Sequence, residues 1–184
     1  MNKFKSIKKQ LYFCIQSMEA SSSLFVVDSE RDFTRRRKHL FGNTMLNVIL
    51  LEAGSLKDEL LTLFGHTLNA PTVSSFVQAR DKIRPDAFYT LFKRFNSKTH
   101  ATILHKGFRL LAIDGSVLPI SNAIQDKETT VMKQNQTDVP FSAYHINTSY
   151  DLLEHTYDDV LIQGQAQMNE NGAFNHIVDR YHGP

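Results

Sequence analysis

Apolar residues recur at three- and four-residue intervals through the first hundred positions, and beyond them they alternate or run together. The change of period divides the chain near NSKTHATILHKG, residues 96–107. Before it, NTMLNVILLEAG offers Met45, Leu46, Val48, Ile49, Leu50 and Leu51 and predicts a mostly buried helix, started by Asn43 or Thr44 and stopped by Gly54. SLKDELLTLFG opens on Ser55 with Asp58 three residues later, a capping-box-like spacing, and sets Leu56, Leu60, Leu63 and Phe64 on one stripe before Gly65. After the polar turn HTLNAP, TVSSFVQARDKI points Val73, Phe76, Val77 and Ile83 inward and leaves Ser74, Ser75, Gln78, Arg80 and Lys82 outside. Residues 55–83 thus have the shape of a helix-turn-helix, the alternative being two helices of a bundle. RPDAFYTLFKRFN adds a helix with Pro85 in its first turn, Phe88, Leu91, Phe92 and Phe95 on one side, and Lys93 and Arg94 near its end. At the N-terminus, a basic start leads into apolar residues interrupted by Gln10, Gln16 and Glu19, which reads as an amphipathic helix rather than a secretory signal.

Beyond residue 107 the first run is GFRLLAIDGSVLPI. Leu110, Leu111, Ala112 and Ile113 predict a buried strand that ends on Asp114, delivering one carboxylate to a sheet rim, with Gly115 providing a tight turn or a close approach. Residues 123–139 are polar and without period, hence a loop. FSAYHINTSYDLLE and TYDDVLIQGQ have strand composition with a connection around His155, and ENGAFNHIVDRY returns to helical spacing through Phe174, Ile177, Val178 and Tyr181. The order is three strands and then a helix.

Composition narrows the classes. At 184 residues, 41% hydrophobic and 22% charged, the chain fits one ordinary globular domain or two small ones. Its single cysteine, Cys14, excludes an internal disulfide and every multi-cysteine zinc pattern, and suits a cytosolic compartment. No apolar run is long enough to span a bilayer. Charge is uneven: residues 1–40 hold nine Lys and Arg against four acids, the remainder twelve against fifteen. FTRRRKHL concentrates the excess, so Arg35, Arg36, Arg37 and Lys38 are phosphate-contact candidates or, equally, a solvated basic loop. On the second helix of the turn motif, Gln78, Arg80 and Lys82 are the candidates for base edges and phosphates. Metal chemistry falls to carboxylates, because His145 and His155 flank a strand pair, His176 and His182 lie six apart, and no two histidines share a helical turn as zinc sites usually require. Ser116 lacks the flanking glycines of a nucleophile elbow.

Taken in order and spacing, FTRRRKHLFGNTMLNVILLEAGSLKDELLTLFG, PTVSSFVQARDKIRPDAFYTLFKRFN, FRLLAIDGSVLPI and YDLLEHTYDDVLIQ resemble the insertion-sequence-four family of DDE transposases, over most of the chain from about residue 30. The resemblance implies a mixed α+β and α/β chain: an all-helical region, residues 1–100, for DNA binding or dimerisation, then residues 107–184 as the first strands and helix of an incomplete ribonuclease-H-like fold. It makes Asp114 the first acid of the catalytic triad and a metal ligand, with Mg2+ or Mn2+ as cofactor, two such ions activating the attacking oxygen and stabilising the leaving one. The family's second Asp stretch and its later Glu helix are missing, and VDRYHGP stops short of them, so a truncated transposase, inactive alone, is expected. Asp151, Asp158, Asp159 and Asp179 are the substitutes to weigh; Tyr150 and Asp151 match a recurrent Tyr-Asp of the family outside its catalytic set. Implied partners are double-stranded DNA carrying terminal inverted repeats and further copies in a homo-oligomer, with no membrane; the implied location is the bacterial cytoplasm, on the nucleoid when DNA-bound. The family's fourth strand lies beside the first, so RLLAID would leave an apolar edge. Two rival readings are a catalytically dead remnant that binds DNA or a transposase, and an unrelated helical DNA-binding protein with a mixed tail.

Overall fold

The computed structural model describes residues 3–34, 39–99, 103–122, 126–132 and 139–181. They divide into two units, Met1–Thr99 and His100–Pro184, and among the described residues comprise six α-helices and a four-stranded antiparallel sheet. No helix among them is long and apolar enough to cross a membrane.

The first unit holds α1 (Lys3–Glu19), α2 (Phe41–Ile49), α3 (Leu56–Leu63), α4 (Val73–Arg80) and α5 (Asp86–Thr99). Cys14, Ile15 and Met18 of α1, Phe41 and Met45 of α2, and Ala87 and Leu91 of α5 bury one stripe each around Phe25, Val26 and Ile83. Phe41 stacks on Phe25 at 6.2 Å between ring centroids and meets the edge of Phe33 at 5.8 Å. Its burial explains why α2 starts at Phe41 and not at Asn43 or Thr44: Phe41 and Met45, one turn apart, must enter the same core. The helix is only half buried, for Ile49 and Leu50 face solvent. Ser55 makes no side-chain cap on α3; instead Glu59 reaches back to accept from the backbone N–H groups of Glu52, at 2.8 Å, and Gly54. Gly65 stops α3 in the left-handed region, at φ +62°. On α4, capped by Thr72, Phe76 and Ala79 turn inward while Val73 is exposed. Helix α5 runs through Arg94 to Thr99, past the expected start of the seam.

The second unit is built on β1 (Leu111–Ile120), β2 (Thr130–Val131), β3 (Phe141–Asp151) and β4 (Thr156–Gly164), followed by α6 (Glu170–Asp179). β3 is central: β1 pairs along one side, β4 along the other, and the two-residue β2 takes the remainder of that second side. β2 lies within the stretch expected to be only loop. β1 therefore stands at a sheet edge, and it is not a buried strand ending at Asp114 but a half-exposed one that continues to Ile120, since Gly115 keeps its ladder position opposite Asn147.

Along β3 the side chains alternate, and Ala143, His145, Asn147, Ser149 and Asp151 are buried. α6, capped by Asn169, contributes Ala173 and Ile177 to the buried set. Phe174 and Val178, two of the residues that carry the helical spacing in the sequence, are exposed, and the inward row is Ala173 and Ile177; Arg180 at the C-cap reaches back to Asp159 at 3.1 Å.

One cation closes this unit. Arg109, just before β1, donates from Nε to Asp151 Oδ2 at 2.9 Å, sets Nη1 2.9 Å from Asp158 Oδ1, and lies over the Tyr181 ring at 5.7 Å. Asp151 has no solvent exposure, and its other oxygen accepts the N–H groups of Leu153 and Glu154, each at 2.9 Å. Burial pushes its pKa up, but the Glu154 N–H, the Arg109 guanidinium and the Leu153 N–H outweigh it and hold the carboxyl below its ordinary 3.8. A depressed carboxylate contributes stability above its unfolded value, about 3.9, and loses that contribution as pH falls through the folded value. Removing one partner of a buried pair costs roughly 3–5 kcal/mol. Arg109→Met is therefore expected to lower the urea-unfolding stability of the chain by that amount at pH 7 and to shrink the further loss between pH 5 and pH 3; equal acid sensitivity in the two proteins would contradict the assignment.

Candidate functional site

Asp114 occupies the fourth position of β1, opposite Thr148 of β3. Alternation places it with Ala112, Ser116 and Leu118 on the face away from the buried row, where their register partners are Tyr150, Ile146 and Tyr144. The side chain is exposed, and among the described residues its carboxylate makes no hydrogen bond or ion pair. A strand holds its Cα rigidly while both oxygens face outward, so the group is available to a cation or a proton donor from outside.

The close approach anticipated behind it is real and lies on the opposite face. A Cβ at Gly115 would stand 2.4 Å from His145 Nε2 and 3.3 Å from Asn147 Oδ1. His145 is 4% exposed, neither of its ring nitrogens makes a hydrogen bond, and Nε2 is 3.9 Å from Glu170 Oε1 at the start of α6. Glycine is thus required by the histidine lying over the backbone, not by a turn.

The other acids do not join Asp114. Asp151 is on the buried face, committed to Arg109. Asp158 is the extra residue of a β-bulge, since Asp159 pairs Ser149 and Tyr157 pairs Tyr150, and it meets the same guanidinium. Asp159 is 3% exposed, accepts the Val160 N–H at 2.9 Å and pairs with Arg180. Asp179 ends α6 in solvent. Among the described residues no three His, Cys, Asp or Glu side chains converge to hold a metal ion. Magnesium keeps its waters unless several oxygens meet it, so one free carboxylate does not fit the implied pair of ions, and no metal-dependent step is assembled from these side chains.

The DNA-contact candidates are also dispersed. Arg35, Arg36, Arg37 and Lys38 lie outside the described residues, as does His182. Gln78 and Arg80 are exposed on α4, but two residues are about 200° around a helix, so they do not share a face. Arg80 donates from Nε to Asp81 at 3.1 Å, and Gln78 donates to Ser74 Oγ at 3.4 Å. Lys82 lies beyond the helix, 3.6 Å from Asp32. Residues 64–72 separate α3 from α4, against three or four in a tight helix-turn-helix. Arg109 escaped sequence reasoning: a lone Arg before an apolar run carries no signal until the register sets it beside Asp151.

No protein-family model, no curated protein and no solved structure matches the chain.

Substitutions separate the two faces of β1. Asp114→Asn is expected to leave stability within about 0.5 kcal/mol, since nothing is bonded to it. Gly115→Ala should cost roughly 1–3 kcal/mol by overpacking, and adding His145→Ala should recover part of that loss in a double-mutant cycle read by thermal unfolding. Strict additivity would refute the contact.

Proposed function

We propose that the chain carries the DNA-binding helical region and the first-acid segment of a transposase of the insertion-sequence-four type, with a ribonuclease-H-like sheet in its second unit. The observation that supports this most is the path of that unit. Three long strands form an antiparallel meander with the second in the middle, a free exposed aspartate stands on the first, a helix follows the third, and the outer side of the first strand is a sheet edge. A ribonuclease-H-like domain starts with this order and places its fourth strand at that edge. In this reading Asp114 is the first acid of a site whose other acids are not among the side chains described, and the basic N-terminal region supplies the affinity for duplex DNA.

A second reading, a module that binds DNA or an intact transposase without cleaving, is favoured by the solitary position of Asp114. Both readings expect DNA binding and neither expects cleavage by the chain alone. The purified chain should retard duplexes taken from the sequence flanking its own reading frame more than scrambled duplexes in an electrophoretic assay. Affinity should fall between about 50 and 200 mM salt as counterion release requires, and Asp114→Asn should bind equally well. Equal affinity for flanking and scrambled duplexes would overturn the transposase reading; nicking by the chain with Mg2+ would overturn the solitary-acid account.

A further inference from the structure

Charge on an ordinary solvated helix face alternates in sign, because Glu and Lys four residues apart stabilise the helix by a few tenths of a kcal/mol, while like charges at that spacing destabilise it by as much. Helix α1 breaks this pattern. It has no acid in its first turn, and the only one within it is its last residue, Glu19. Lys5, Lys8 and Lys9 are exposed, and among the described residues none makes an ion pair. Lys5 and Lys9 are one turn apart and like-charged. Lys5 also stands in the first turn, where the helix dipole disfavours a cation. The arrangement gives up helix stability for a positive field.

Two aromatic rings, Tyr12 and Phe13, follow these lysines one turn further along the helix. At 100° per residue, Lys5, Lys9, Tyr12, Phe13 and Gln16 fall on the outward side of α1, opposite the buried row of Cys14, Ile15 and Met18, and Lys8 lies on the flank between the two. Tyr12 is 40% exposed and Phe13 56%, and Lys8 Nζ sits 5.8 Å from the Tyr12 ring centroid. Basic side chains adjoining exposed rings are what a nucleic acid with unpaired bases engages: ammonium groups on phosphates, rings on base faces. An anionic membrane is the other polyanion that a basic helix attracts, but an interfacial helix inserts a continuous apolar face. That face of α1 is already spent in the core of the unit.

We infer that the outer face of α1 is a binding surface for single-stranded nucleic acid, with Lys5, Lys8 and Lys9 on phosphates and Tyr12 and Phe13 stacked on unpaired bases. The surface is sequence-blind and does not depend on the transposase reading. It predicts that the chain favours single strands, or the unpaired ends of a duplex, over fully paired DNA of equal length.

Fluorescence anisotropy of the full chain with a labelled oligo(dT) of twenty nucleotides tests it, alongside the matching duplex and phosphatidylglycerol vesicles. The combined variant Lys5→Gln, Lys8→Gln and Lys9→Gln should bind the single strand about tenfold more weakly, with the slope of log affinity against log salt reduced by about 2, for three lost contacts. Combined Lys→Arg replacement at the same positions should restore both, and circular dichroism should show unchanged helix content throughout. Tyr12→Leu or Phe13→Leu should each weaken single-strand binding about fivefold or more and leave duplex binding unchanged. The inference fails if the triple variant keeps the affinity and salt slope of the parent, if neither ring substitution changes single-strand binding, or if vesicles are bound more tightly than oligo(dT). Loss of preference for the flanking duplexes with oligo(dT) binding intact would sink the transposase reading alone.

Discussion

Asp151 ends β3 without solvent contact, and its charge is tolerable only because Arg109 and two backbone N–H groups meet it. Arg109 stands just before β1, so the pair ties the entry of the first strand to the exit of the central one, where Leu111 faces Asp151. Register follows from that tie. A slip of one residue would turn every side chain of β1 to the other face: Asp114 would be driven onto the buried face, and Ser116 would be forced against His145 where now only Gly115 fits. The exposed aspartate and the buried ion pair are thus two consequences of one pairing.

Period two also decides what the acids do. Asp114 and Thr148 share the outer face; Asp151 and Asp159 share the buried one, and the bulge at Ser149 and Tyr150 releases Asp158 toward Arg109. Each carboxylate of β3 and β4 has a guanidinium, whereas that of β1 has none. The buried face is unusually polar, with Asn147 donating to Gln163 at 3.2 Å and Arg180 reaching Asp159. Such contacts add little net stability over an apolar core, but they leave few alternative registers in which every group finds a partner.

Helices with long apolar stripes were legible in the sequence because a stripe survives local uncertainty: Leu91 and Phe95 announce α5, and Gly65 announces the end of α3. Their boundaries were less so. Phe41 precedes any polar start signal, and only its place against Phe25 and Phe33 draws the helix upstream; Glu59 took the role assigned to Ser55 and Asp58 by reaching across the loop before the helix. In the second unit the three long strands could be read from composition, yet the end of β1 could not. A charge followed by glycine looks like a rim, and nothing in one strand's sequence says that its neighbour carries a histidine needing the space of a missing Cβ. The spacing of α6 also did not tell its inward row: Phe174 is larger than Ala173, but the helix buries the smaller side chain, with Ile177. That a strand carries Asp114 was legible; its place within the strand and its isolation were not, since convergence of acids is a property of faces and register.

Ion pairs run through both units: Lys82 with Asp32, Arg84 with Asp86 and Arg80 with Asp81 in the first, Arg109 and Arg180 with their aspartates in the second. Asp114 and, on α1, Lys5, Lys8 and Lys9 stand outside this scheme, and they differ in kind from a randomly unpaired surface charge. Asp114 is held on a rigid strand between Ala112 and Ser116 and opposite Thr148, where ordinary sheet stability would favour a β-branched residue. The α1 lysines repel one another along a helix that a single glutamate among them would strengthen. In both places local stability is forgone, in opposite sign and on separate units. A chain that retains an unneutralised anion on a strand and unneutralised cations on a helix has left those charges for something outside itself: the first for a cation or a proton, the second for a polyanion.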